Sequence, residues 1–181
     1  MHRADDPADP SAEEIAGLRS LAAELARDAG SIAFAGRRGD EAVDLASSTK
    51  SSQTDIVTRF DRAAEEAIVE RLRGERPDDA IVGEEGTNRP GTSGYAWYID
   101  PIDGTTNFVY DLPAWCCAVG VAHHDRMVAG VVNDPAPGEI YTAGAGQGAT
   151  LDGRPLAVRD ESDLGRALVA TGFSYDARRR R

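Results

Sequence analysis

Apolar residues recur at spacings of three and four from Ile15 through Leu18, Ala22, Leu25 and Ala29 to Ile32. One apolar stripe of that kind predicts a long amphipathic helix. Ser11-Ala12-Glu13-Glu14, just ahead of it, has the form of a capping box, a hydroxyl N-cap with Glu three residues on. The stripe fades near Gly36-Arg37-Arg38-Gly39. Residues 43–49 read as a strand, and 47–54 as a polar loop containing Lys50. A second helix opens at Thr58-Arg59-Phe60-Asp61, buries Phe60, Ala64, Ala67, Ile68 and Leu72, and must end by Pro77.

Beyond Pro77 the pattern changes to short strands separated by turn signals. Strands are predicted over 80–85, 95–100, 115–122, 127–133 and 139–143. The expected turns are His124-Asp125-Arg126, Asn133-Asp134-Pro135, Pro137-Gly138 and Asp152-Gly153. Helices followed by a run of strands predict a layered α/β (α+β) fold, with an antiparallel sheet against the helix pair. Residues 1–10 read as a flexible tail and 11–155 as the α+β unit. Residues 156–181 read as the start of a second, incomplete α/β unit, with a new element beginning at Leu168 to Thr171.

Composition narrows the function. The formal net charge of -11 disfavours a nucleic-acid groove, which needs a basic footprint, and Arg178 to Arg181 read as a solvated end. No run of eighteen apolar residues is present, so no membrane span is expected. The first ten residues lack the apolar core of a secretory signal. Cys116 and Cys117 are adjacent and would point to opposite faces of a strand, so a disulfide between them is not expected and a reduced, cytoplasmic setting fits.

The chemistry concentrates in Asp100-Pro101-Ile102-Asp103-Gly104-Thr105-Thr106-Asn107-Phe108. Two carboxylates three residues apart on a Pro-containing turn could simply hydrogen-bond local amides. Against that, Asp100 follows the apolar run Trp97-Tyr98-Ile99, and Thr105-Thr106 begins a plausible short helix. Glu84, at the end of the strand Ala80-Ile81-Val82-Gly83, adds another acid. Like charges gathered at strand ends repel unless a cation lies between them, and all-oxygen ligands favour Mg²⁺ before Ca²⁺ or Mn²⁺.

A two-metal site would use Asp100 as a bridge, with Glu84, Asp103 and the carbonyl of Ile102 completing the shells. The amides of Gly104 and Thr105 would then hold a phosphate, alongside Glu84 and Asp103. Asp61 has two readings, a helix cap reaching back to Thr58 or a partner for the Thr105 hydroxyl that deprotonates an attacking water. Gly144-Ala145-Gly146-Gln147-Gly148-Ala149 matches a loose dinucleotide pattern, but no helix can follow it, so it reads as a bend between strands. His123 and His124 lack partners at metal-ligand spacing and read as exposed.

These residues resemble the inositol monophosphatase family of Mg²⁺-dependent, lithium-sensitive phosphatases. The resemblance rests on residues 55–61, on Gly83-Glu84-Glu85, on the motif from Asp100 to Phe108, and on Gly130-Val131-Val132-Asn133-Asp134-Pro135 through to Gly153. It implies an αβαβα sandwich, a homodimer when full length, and a mobile loop at Lys50. It also implies Glu84, Asp100, Asp103 and the Ile102 carbonyl as ligands of two or three Mg²⁺ ions, Thr105 with Asp61 as the water-activating pair, and Gly104 with Thr105 as phosphate cradle.

Family members continue into a further part with a Trp-Asp motif. Here the tryptophans are Trp97 and Trp115, neither followed by Asp, so a C-terminally truncated representative is expected. The expected reaction is hydrolysis of a small polyol phosphate, first inositol 1-phosphate. Histidinol phosphate, fructose 1,6-bisphosphate or a nucleotide 3′-phosphate remain alternatives, and so does a non-catalytic fragment.

Overall fold

The computed structural model describes residues 9–38, 48–49 and 56–171. Helix α1 spans Ala12–Arg38. Ser11 caps it by accepting from the Glu14 amide at 3.1 Å. The return half of the expected capping box is replaced, because the Glu14 carboxylate accepts the Tyr95 hydroxyl at 2.6 Å. The buried stripe runs as predicted through Ala29 and then continues to Ala33 rather than Ile32, which is exposed. A 3.6-residue period falls between the two positions, and the smaller Ala33 fits against Phe60 and Ile102.

Short strands β1 (Ser48–Thr49) and β2 (Ile56–Val57) pair antiparallel. The remainder of the expected strand and polar loop, including Lys50, lies outside the described residues, as do residues 1–8 and 178–181.

Helix α2 spans Arg59–Glu75 and packs along α1. Arg71 on α2 bridges the pair through Glu24 and Asp28 of α1, and also holds Glu75. The strands then follow in order: β3 (Ala80–Gly83), β4 (Asn88–Arg89), β5 (Tyr95–Asp103), β6 (Cys116–His123), β7 (Arg126–Asp134), β8 (Glu139–Gly144), β9 (Gly148–Leu151) and β10 (Arg154–Pro155), with helix α3 (Thr105–Val109) between β5 and β6.

The larger sheet has eight strands in the order β10-β9-β8-β7-β6-β5-β3-β4. It is mixed rather than purely antiparallel, because β3 runs parallel to β5. The bend at Gly144–Gly148 and the Asp152-Gly153 turn join strands as expected. Leu168 to Thr171 form no helix or strand, and Leu168 is fully exposed.

One face of the sheet packs on the helix pair. Ile81, Trp97, Ile99, Cys117, Val119 and Val121 meet Leu18, Leu25, Ile68 and Leu72 there. Each large side chain so buried contributes about 1.5–3 kcal/mol. The opposite face carries Val82, Tyr98, Val132 and Tyr141, all partly exposed. A smaller cluster of Ala33, Phe60, Ile102, Phe108 and Trp115 sits beyond the main core. Its rings meet edge-on, Phe60 to Phe108 at 6.0 Å and Phe108 to Trp115 at 5.0 Å between centroids. No helix among the described residues is long and apolar enough to cross a membrane.

Candidate active site

The aromatic cluster seats the chemistry-bearing residues. Phe60 precedes Asp61 on α2, while Ile102 and Phe108 bracket Thr105. Burying those three side chains against one another brings the start of α2 to the junction of β5 and α3.

Asp61 is 1% exposed and contacts both Thr58 and Thr105. Its Oδ2 accepts from the Thr58 amide at 2.8 Å and from Thr58 Oγ1 at 2.5 Å, closing the helix cap. Its Oδ1 lies 3.2 Å from Thr105 Oγ1. Capping therefore occupies one carboxylate oxygen and leaves the other directed at Thr105. Burial raises the Asp61 carboxyl above its ordinary value, against hydrogen bonds from Thr58 and Thr105 that lower it. The Thr105 hydroxyl also reaches the Ile102 carbonyl at 3.0 Å. With one proton and two acceptors, it can donate fully to only one at a time.

Strand β5 does not stop at Asp100, as the sequence reading had it, but continues to Asp103 across Pro101. The register against β6 shifts between Asp100, opposite Ala118, and Asp103, opposite Cys116. A bulge there removes the need for the amide that proline lacks. Gly104 then turns the chain into α3 with φ of 92°, a left-handed conformation that glycine adopts without strain. A Cβ there would also stand 3.0 Å from the Ala114 carbonyl oxygen.

Glu84 follows directly on β3, and its amide donates to the Ile99 carbonyl at 3.0 Å. Glu84, just past the end of β3, and Asp100, within β5, thus lie side by side on adjacent parallel strands. Both line one cavity with Gly83, Tyr98, Ala118 and Gly120.

Asp103 Oδ2 accepts from Cys116 Sγ at 3.8 Å. The Cys116 thiol is pushed up to about 12, first by burial and then by the charges of Asp103, Asp100 and Asp134. Those acids therefore act on one small region. Among the described residues, no three Asp, Glu, His or Cys side chains are gathered closely enough to hold a metal ion as placed. The donors themselves, carboxylates with a backbone carbonyl nearby, are of the kind that suits a hard cation.

Glu65 was missed by sequence reading. It lies one turn after Asp61 on α2, is 4% exposed, and binds the turn that carries Glu84. A Glu at mid-helix reads as solvated, and only its i, i+4 relation to Asp61 hinted at a shared face. His124 is exposed, as expected, whereas His123 is half-buried against the Tyr95 ring at 4.6 Å. Cys116 and Cys117 are both free thiols.

A model of the inositol monophosphatase family matches residues 15–181. A protein of Pseudomonas aeruginosa named Nus factor SuhB is 40% identical over 161 residues, which cover 87% of this chain and 58% of that protein. An inositol-1-monophosphatase of Synechocystis is 41% identical over 123 residues, covering 67% of this chain and 43% of its own. The solved inositol monophosphatase of Anabaena superposes with a TM-score of 0.75 at 32% identity, over 91% of this chain and 58% of that structure. The matches thus cover between 43% and 58% of the length of these relatives.

Proposed function

From the premise that the chain belongs to the inositol monophosphatase family, we propose that it hydrolyses a small phosphate monoester, first of all inositol 1-phosphate, with Mg²⁺. The observation that carries this reading is the Asp61–Thr105 contact beside Asp100, Ile102 and Asp103. Glu84, Asp100, Asp103 and the carbonyl of Ile102 would hold the metal. When bound, Mg²⁺ acidifies water and offsets phosphoryl charge.

The chain's own residues account for the proton. Thr105 Oγ1 donates to Asp61 Oδ1 while a lone pair on the same oxygen accepts a hydrogen bond from the attacking water. As the water attacks phosphorus, its proton moves to Thr105 Oγ1 and the hydroxyl proton moves to Asp61, while the ester P–O bond breaks and the departing alkoxide takes a proton from solvent water. The raised proton affinity of Asp61 suits it to receive that proton. The amides of Gly104 and Thr105 would orient the phosphate oxygens, and the buried Phe108 ring keeps that turn in place.

The test is phosphate release from inositol 1-phosphate and from a panel of other phosphate esters, with and without Mg²⁺. Release that requires Mg²⁺ and disappears in Asp100→Asn supports the reading. Undiminished turnover by that variant would sink the site assignment.

The relatives named Nus factor favour a second reading, action through a macromolecular partner. The net charge of -11 then favours a protein partner over nucleic acid. Partner binding that survives Asp100→Asn would separate that role from hydrolysis.

A further inference from the structure

The chain after β3 turns back through Gly83-Glu84-Glu85-Gly86-Thr87, closed by the Gly83 amide donating to the Thr87 carbonyl at 2.7 Å. Inside this turn sits the Glu65 carboxylate from α2. Its Oε2 accepts from the Glu85 amide at 2.8 Å, and its Oε1 accepts from the Thr87 amide at 3.1 Å. The fit is close, since a Cβ on Gly83 would lie 2.4 Å from the Glu65 carboxyl carbon. A side chain at 83 would therefore push the Glu65 carboxylate out of its place in the turn. On the other side, the Glu84 amide is fixed to Ile99, the residue before Asp100.

The turn carrying Glu84 is thus held on both sides, by β5 through the bond from the Glu84 amide to Ile99 and by α2 through the bonds from the Glu85 and Thr87 amides to Glu65. We propose that Glu65 is a positioning residue that fixes Glu84 beside Asp100, so that the carboxylates stand ready for a divalent cation. The inference rests on the metal-dependent reading given above. It makes α2 a two-pronged support, because Asp61 and Glu65 are one turn apart on the same buried face. Asp61 fixes the side of the site at Thr105, and Glu65 fixes the side at Glu84.

The decisive variant is Glu65→Gln, which keeps size and burial but replaces one acceptor oxygen with an amide donor facing a backbone N–H. Two measurements apply to the whole protein: exchange of the Glu85 and Thr87 amides followed by NMR in EDTA, and the Mg²⁺ concentration that half-saturates the thermal shift. The expectation is exchange at least about tenfold faster at both amides, with β6 amides unchanged. The Mg²⁺ midpoint is expected to rise by about tenfold or more, as for other losses of support behind a ligand.

Unchanged exchange would overturn the clamp. Faster exchange with an unchanged Mg²⁺ midpoint would overturn the positioning role and leave a merely structural one. If the unsubstituted protein shows no Mg²⁺ shift, the metal-dependent reading fails and the positioning role falls with it. The exchange rates, measured without metal, distinguish that failure from failure of the clamp.

Discussion

Asp61 Oδ1 lies 3.2 Å from Thr105 Oγ1, across 44 positions of sequence, while Oδ2 of the same carboxylate closes the cap of α2 on Thr58. One side chain therefore ties the start of a helix to the end of a strand and also supplies the group that can receive a proton. The dual use makes a structural and a chemical role separable by substitution.

Asp61→Asn keeps the volume and one acceptor oxygen, and removes a buried charge. The folded state should survive with its melting temperature within a few degrees of the parent, because the lost charge-assisted hydrogen bonds and the relieved desolvation oppose each other, each about 1–3 kcal/mol. Hydrolysis should fall by about 10²–10⁴, the usual share of a positioned base. Circular dichroism melts beside phosphate release check both halves.

The pH dependence follows from the direction of the Asp61 shift. Its carboxyl is raised above the ordinary 3.8 by burial, so the folded protein holds that proton more tightly than the unfolded chain. This group's contribution to stability is full below 3.8 and is lost as pH rises through the folded value. The ionised form, which the proposed reaction needs, builds up over the same window. The acid limb of kcat/KM should therefore lie above 3.8 and change in Asp61→Asn. A pH-rate profile of both proteins reads it.

Gly104→Ala should be costly for its size. The left-handed backbone costs a Cβ-bearing residue about 1–2 kcal/mol, and the new methyl presses on the Ala114 carbonyl. At about 2–4 °C per kcal/mol for a chain of this length, a drop of several degrees is expected in a thermal melt. Hydrolysis should fall more than stability does, because the strain lies next to Thr105.

Asp79 lies at the other end of β3 from Glu84 and tests the fold alone. It is 2% exposed and accepts from Trp97 Nε1 at 2.8 Å, Ser93 Oγ at 2.7 Å and Arg76 Nε at 2.6 Å. Asp79→Ala strands the buried indole N–H, while Arg76 can turn to water, so a loss of about 2–3 kcal/mol is expected in urea unfolding.

Much of this arrangement was legible in the sequence, for identifiable reasons. The α1 stripe, the Thr58 cap and strands β5 to β8 rest on local periodicity and turn chemistry, which a linear reading can see. The motif from Asp100 to Phe108 was legible because acids, glycine and hydroxyls at that spacing have few other uses. The parallel pairing of β3 with β5 was not, since it depends on how the chain crosses between them. Pro101 within a strand was hidden as well, because only the bulge opposite Cys116 and Ala118 permits it. Glu65 was invisible for a third reason: its buried partners are amides 20 and 22 residues away.

The most direct measurement of the central claim is a double-substitution cycle on phosphate release at saturating Mg²⁺, using Asp61→Asn, Thr105→Ala and the two combined. Residues that act as one unit are strongly non-additive. The account predicts that each single variant loses about as much as the double variant, from a Mg²⁺-dependent parent rate. Losses that multiply in the double variant, or a parent protein that releases no phosphate, would contradict it.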